Sequence, residues 1–187
     1  MILGIDIDGV ILDYENTLIE EAKKYDLSIG GKGIINESVF SPLDQYGWSK
    51  EEKKDFTDKF VEFTYRTPLV TDCKKTIDFL KSKGFKIILI SARGSINPKT
   101  KTAVLDMLEK YEIDYDEMYL GIKDKENICK DLSVNYMIDD NPNICEQLSS
   151  KGIPVIYFKQ SKFVLDENEN MKVCTSWDEV RDYLLEQ

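Results

Sequence analysis

The stretch Ile2-Leu3-Gly4-Ile5-Asp6-Ile7-Asp8-Gly9-Val10 decides how this chain is read. Residues 2–7 are apolar apart from one glycine and one acid, three of them β-branched, and Gly9 closes the run. That pattern predicts a short buried strand. Asp6 and Asp8 are two positions apart, so both project from the same side of an extended segment. Carboxylates this close repel one another unless a cation or a proton relieves them. Gly9 permits a sharp exit from the strand.

Four more apolar runs follow. They are Lys86–Ser91 around Ile87-Ile88-Leu89-Ile90, Met118–Gly121, Tyr136-Met137-Ile138 and Val155-Ile156-Tyr157-Phe158. Helical spacing fills the gaps. Residues 72–83 carry Ile77 and Leu80 and stop at Gly84, and residues 99–111 carry Val104, Leu105 and Leu108. Helices are also expected over 124–132 and 142–150, the latter capped by Asn141 with Pro142 in its first turn. A last helix runs through Val180, Tyr183 and Leu184 from Ser176, with Glu179 three residues on. Strand–helix alternation over residues 70–187 predicts a parallel sheet with helices on both faces, an α/β architecture.

Residues 13–69 break the alternation. Leu18, Ile19, Ala22 and Tyr25 suit one helix, and Phe56, Phe60 and Phe63 suit another that starts at a Ser49–Glu52 capping box. The reading is a core of residues 1–12 and 70–187 with a small helical insert between. The insert holds nine of the chain's twenty aromatic residues. Phe56, Phe60 and Phe63 have core spacing. Phe40, Tyr46 and Trp48 lie in turn-rich sequence and are candidates for stacking on a planar ligand.

Composition narrows the chemistry. Among 187 residues there is no histidine, which removes Ser-His-Asp and Cys-His nucleophile pairs and imidazole metal sites. Acid–base work falls to Asp, Glu, Lys, Tyr or Cys, and a metal site must be built mainly of oxygen. The net charge of −10 argues against broad binding to a nucleic-acid backbone or an anionic membrane. The four cysteines form no CxxC pair and read as reduced thiols of a cytoplasmic protein. The first apolar run lacks a charged leader and is interrupted by acids, so neither a signal peptide nor a membrane span is expected there.

The polar residues gather at strand ends. Strand one ends in Asp6 and Asp8, strand two in Ser91-Ala92-Arg93-Gly94, and strand four in Asp139-Asp140-Asn141; Lys123 and Lys125 follow strand three. Ligands of open α/β sheets bind beyond these carboxyl ends. Asp6, Asp8, Asp139 and Asp140 are candidate ligands of one hard divalent ion, for which magnesium fits. Ser91 and the amides around Ala92 suit phosphoryl oxygens, a lysine supplies positive charge, and Arg93 is a second phosphate candidate. Lys125 is preferred over Lys123 and Lys130, because Asp124 can cap the helix and leave Lys125 in its first turn.

These residues resemble the four motifs of the haloacid dehalogenase-like hydrolases. Asp6-Ile7-Asp8-Gly9-Val10 is similar to the first, Ser91 to the second, Lys125 to the third and Asp139-Asp140 to the fourth. Ile90-Ser91-Ala92-Arg93-Gly94 and the small helical insert resemble the 5′(3′)-deoxyribonucleotidase-like group. The resemblance implies a Rossmann-like three-layer fold, strand order 5-4-1-2-3, with a cap after strand one. It also implies that Asp6 is a nucleophile forming an aspartyl-phosphate and Asp8 a general acid–base. Ser91 and Lys125 would hold the phosphoryl group, and magnesium would sit on Asp6, the Asp8 carbonyl and Asp139 or Asp140. The expected function is a magnesium-dependent phosphatase of a small phosphorylated metabolite, a nucleoside monophosphate first, with Tyr46 or Trp48 stacking on the base. The alternatives are a sugar phosphate, a polynucleotide 3′-phosphate, or a non-catalytic phosphate- or metal-binding regulator. The oligomeric state, a homodimer included, stays open.

Overall fold

Among the residues described by the computed structural model (1–39, 41–95, 97–160 and 162–187), six parallel strands form one sheet. They are β1 (Ile2–Ile5), β2 (Lys86–Ser91), β3 (Glu117–Leu120), β4 (Tyr136–Asp139), β5 (Val155–Phe158) and β6 (Met171–Cys174). The order is β3-β2-β1-β4-β5-β6, which is the expected 5-4-1-2-3 arrangement with one strand added at the β5 edge. The sixth strand, β6, goes beyond the five that the sequence pattern predicts. It is a four-residue edge strand whose second residue is Lys172, so it carries no continuous apolar run.

Alternation sorts the strand side chains into two cores. Leu3, Ile5, Ile87, Leu89, Ile138, Ile156 and Phe158 face one side. There they pack on α5 (Cys73–Ser82), α6 (Lys99–Lys110) and α9 (Trp177–Leu185). Ile88, Ile90, Met137, Val155 and Tyr157 face the other side, against α7 (Glu126–Asp131) and α8 (Pro142–Ser150). Gly4 belongs to this second face. A Cβ there would stand 2.8 Å from Met137 Sδ, so the glycine lets β4 pack against β1. Helices cover both faces, giving the three-layer Rossmann-like architecture. All four cysteines are buried and unpaired in these cores. No helix is long and apolar enough to cross a membrane among the described residues.

Between β1 and α5 the chain carries α1 (Tyr14–Ser28), α2 (Pro42–Gln45), α3 (Lys50–Asp58) and α4 (Phe60–Arg66). The Ser49–Glu52 capping box starts α3 with both reciprocal hydrogen bonds present. Tyr14, Ala22, Tyr46, Trp48, Phe56 and Phe63 form a separate third core, with Leu18, Tyr25, Leu43 and Phe60 packed around it. Ile19 is on the exposed side of α1. The two connections to the sheet pair with each other. Asp13 N donates to Pro68 O and Val70 N to Ile11 O, each at 2.9 Å. The insert therefore rises from a two-stranded stem beside the end of β1.

Phe56 is fully buried and contacts Tyr25, Trp48, Phe60 and Phe63 by ring edges and faces. Phe56→Ala is expected to lower stability by about 3–5 kcal/mol in urea unfolding, from lost burial and the cavity left behind. A loss below about 1 kcal/mol would contradict a tightly packed insert core.

Candidate active site

The chain winds outward from β1 to β3, then crosses back to β4 on the other side of β1. A parallel sheet opens a crevice at such a reversal, beyond the carboxyl ends of its strands. Asp6 and Asp8 leave β1 at this point, Ser91-Ala92-Arg93 leave β2, Lys125 precedes α7, and Asp139-Asp140 end β4. The first loop is tight: Gly9 N donates to Leu12 O and Leu12 N to Ile7 O, both at 2.8 Å. Gly9 has φ +73°, and a Cβ there would meet Asp140 Oδ2 at 1.9 Å. Only glycine lets the first loop lie against the fourth.

A cleft of about 360 Å³ opens above these ends, lined by Asp6, Asp8, Lys123, Lys125, Asp139 and Asp140 from the sheet. The insert contributes Tyr14, Glu15, Leu18 and Pro42 to its walls. Ala92 lines the cleft, and Ser91 is buried just behind it with its Oγ accepting from Arg93 N at 3.3 Å. A second cavity, of about 600 Å³, shares Asp8, Tyr14 and Ala92 with the first and extends between α3–α4 and the start of α6.

Two cations divide the acids between them. Lys125 is buried, and its Nζ donates to Asp6 Oδ1 at 2.6 Å and to Asp139 Oδ2 at 2.7 Å. Of the three candidate lysines, Lys123 is exposed at the rim and Lys130 pairs with Glu126 on the surface. Asp124 Oδ1 does accept from Glu126 N at 3.1 Å, but Lys125 itself occupies the N-cap position, one residue before the helix. Arg93 is equally buried, yet it does not stand free for a phosphate as the sequence suggests. Its Nε and Nη2 grip Asp8 at 2.5 and 2.7 Å, and Nη1 donates to Thr64 Oγ1 at 2.8 Å.

The acids at the end of β4 are served unequally. Asp139 spends its second oxygen on Asn141 N at 2.9 Å. No basic side chain pairs with Asp140 among the described residues. Burial, reinforced by Asp139, Asp6, Glu15 and Asp8, holds its carboxyl well above the usual carboxylate range. Burial also pushes Asp6 up to about 7, with Lys125 pulling down and Asp139 and Asp8 pushing up. Burial opposes the Lys125 ammonium, but Asp139 and Asp6 more than offset it and keep it charged. Glu15 Oε2 is buried without a hydrogen-bond partner, and burial with nearby Asp13 raises its carboxyl too. Glu15 was missed in sequence, where an acid in a first helical turn reads only as a match to the helix dipole.

No three acids already converge at metal-ligand distances among the described residues, because Lys125 lies between Asp6 and Asp139. The donor set still suits a hard divalent cation. It is all oxygen, and the Asp140 carboxyl and Glu15 Oε2 stand among like charges that a proton relieves at low pH and an added cation would relieve once they ionise.

The two rings expected to stack on a ligand base are packed elsewhere. Tyr46 and Trp48 do not line the cleft. Their rings stack on each other at 4.7 Å within the insert core, and Trp48 Nε1 donates to the buried Asp26 at 2.8 Å. Tyr25 and Phe56 cover Trp48 further, so neither ring offers a face to a ligand. Phe40, the third stacking candidate, lies outside the described residues.

No protein-family model matches the chain. Over 194 positions it is 25% identical to a protein of Bacillus cereus provisionally named a nucleotidase, covering 98% of each chain. Among solved structures it resembles a haloacid dehalogenase-like family hydrolase of Streptococcus pneumoniae (TM-score 0.66, 13% identity, 98% and 97% covered). A provisionally named phosphatase of Clostridium difficile matches at TM-score 0.69 and 15% identity, with 98% and 97% covered. A provisionally named β-phosphoglucomutase of Thermotoga maritima matches at TM-score 0.66 and 18% identity, with 99% and 98% covered.

The acids also set a pH dependence. Asp6 and Asp140 hold protons to higher pH in the folded protein than in the unfolded chain. Stability without metal therefore falls as pH rises from the ordinary carboxylate range through about 7. Magnesium is expected to raise the melting temperature more at pH 8 than at pH 5.5, and Asp140→Asn to abolish that gain. An equal gain at both pH values, or one that survives Asp140→Asn, would contradict this placement of the uncompensated charge.

Proposed function

Because the fold is that of the haloacid dehalogenase-like hydrolases, we propose that the chain is a magnesium-dependent phosphomonoesterase acting on nucleoside monophosphates. The observation that carries this reading is the split pairing of the first two acids. Asp6 lines the cleft with one oxygen on a buried lysine, while Asp8 has a separate cation. A nucleophile and a proton carrier need such different surroundings.

In this mechanism an Asp6 carboxylate oxygen bonds to phosphorus as the bond from phosphorus to the leaving alcohol breaks. Lys125 balances charge on Asp6 and keeps that side chain pointed into the cleft. Asp8 gives a proton to the departing oxygen, leaving an aspartyl-phosphate on Asp6. Asp8 then takes a proton from a water molecule, whose oxygen bonds to phosphorus as the Asp6–phosphorus bond breaks. Inorganic phosphate leaves and both acids return to their starting forms. The Ser91 hydroxyl and the Ala92 amide suit the phosphoryl oxygens. Asp6, the Asp8 carbonyl and Asp140 would hold magnesium, which supplies positive charge to the phosphoryl group when bound. Asp140 is favoured over Asp139 because both Asp139 oxygens already accept hydrogen bonds.

Support for a nucleotide comes from the Bacillus cereus relative's name and from the apolar wall formed by Leu18, Pro42 and Ile144. The net charge of −10 disfavours a polynucleotide. Phosphate release is expected from nucleoside monophosphates in the presence of magnesium and not after chelation. Asp6→Asn should lower the rate by about 10⁴-fold. Release confined to sugar phosphates would overturn the nucleotide assignment, and substantial activity in Asp6→Asn would overturn the nucleophile.

A further inference from the structure

Arg93 is a long cation buried where the insert meets the sheet, and every part of its head is engaged. Burying a guanidinium is costly unless its donors are satisfied. Nε and Nη2 take both oxygens of Asp8 in a side-on fork, at 2.5 and 2.7 Å. Nη1 donates to Thr64 Oγ1 at 2.8 Å, and Thr64 in turn donates its own proton to Phe60 O at 2.9 Å. The guanidinium face lies 3.9 Å from the centre of the Tyr14 ring. Thr64 is fully buried on α4 and Tyr14 is buried at the start of α1, so both outer supports belong to the insert.

Asp8, by contrast, sits in the loop after β1, and its side chain is 30% exposed. Left alone, such a carboxylate would rotate, and proton transfer requires it to stay within hydrogen-bond reach of the reacting oxygen. A forked guanidinium fixes the plane of a carboxylate as a lone lysine cannot. We propose that Arg93 is a positioning residue that sets the orientation of Asp8 for proton transfer, and that the insert holds Arg93 in place through Thr64 and Tyr14. The positive charge on the phosphoryl group then comes from elsewhere in the cleft, and the seating of the insert governs the proton carrier. This inference rests on the phosphohydrolase reading and adds to it a residue that acts through Asp8.

The test uses the dependence of rate on the leaving group. An alkyl leaving group, as in a nucleoside 5′-monophosphate, needs a proton as it departs. p-Nitrophenolate departs without one. Arg93→Lys keeps the charge and loses the fork. Its kcat/KM should fall about 100-fold on the nucleotide and less than about fivefold on p-nitrophenyl phosphate. Competitive inhibition by inorganic phosphate should stay within about threefold of the unsubstituted enzyme. Thr64→Val keeps the shape, removes the acceptor for Nη1 and touches no substrate. It should show the same split, about fivefold on the nucleotide and none on the aryl ester.

Equal losses on both substrates with weakened phosphate inhibition would overturn the proposal and place Arg93 on the phosphoryl group. Equal losses with unchanged inhibition would overturn it in favour of a purely structural role. If Arg93→Lys fails to fold, the split in Thr64→Val decides. An unsubstituted enzyme that hydrolyses neither compound removes the phosphohydrolase reading itself. Activity with unsplit variants removes only the role of Arg93.

Discussion

Lys125 Nζ lies between Asp6, which follows β1, and Asp139, which ends β4, within 2.7 Å of both. Those two strands are neighbours at the point where the sheet reverses its winding. Without a cation here, the acids that close the two strands would face one another across a few ångströms of buried space. Removing one partner of a buried ion pair typically costs about 3–5 kcal/mol, because the other charge remains uncompensated. The lysine reaches this point because the connection from β3 to β4 must pass over β2 and β1, which carries the start of α7 across the reversal. The topology of the sheet and the electrostatics of the cleft are thus one constraint.

The rest of the site follows from how that ammonium is shared. Lys125 and the Asn141 amide consume Asp139, so Asp140 is the acid left to carry unbalanced charge. Asp140 can lie against the first loop only because residue 9 has no Cβ. Asp8 pairs instead with Arg93, whose guanidinium is otherwise held by Thr64 and Tyr14 of the insert. Two buried cations therefore answer to different parts of the molecule, one to the sheet and one to the junction with the insert.

Much of this was legible in the sequence because strand ends carry their chemistry locally. Asp6, Asp8, Ser91, Asp139 and Asp140 each follow an apolar run, and the alternation of runs with helices sets the architecture. Lys125 was legible through the helix it precedes. What stayed hidden depends on contacts between distant positions. Arg93 reads as a second phosphate ligand until Asp8, 85 positions away, is seen to take its fork. Tyr46 and Trp48 read as free aromatics because their segment has no periodicity. Their burial follows from Asp26, which accepts from Trp48 Nε1 at 2.8 Å and from Gly33 N at 2.8 Å and so folds the loop back onto α1. The edge strand β6 follows a run of polar residues and has only two fully buried side chains.

The central claim is that Asp6, and not one of the acids around it, receives the phosphoryl group. Acid-quenching the enzyme during turnover of a nucleoside monophosphate, followed by borohydride reduction and peptide mass spectrometry, reads this directly. Homoserine is expected at position 6, dependent on substrate and absent in Asp6→Asn. Reduction at Asp8, Asp139 or Asp140, or no reduced residue during demonstrable turnover, would contradict it.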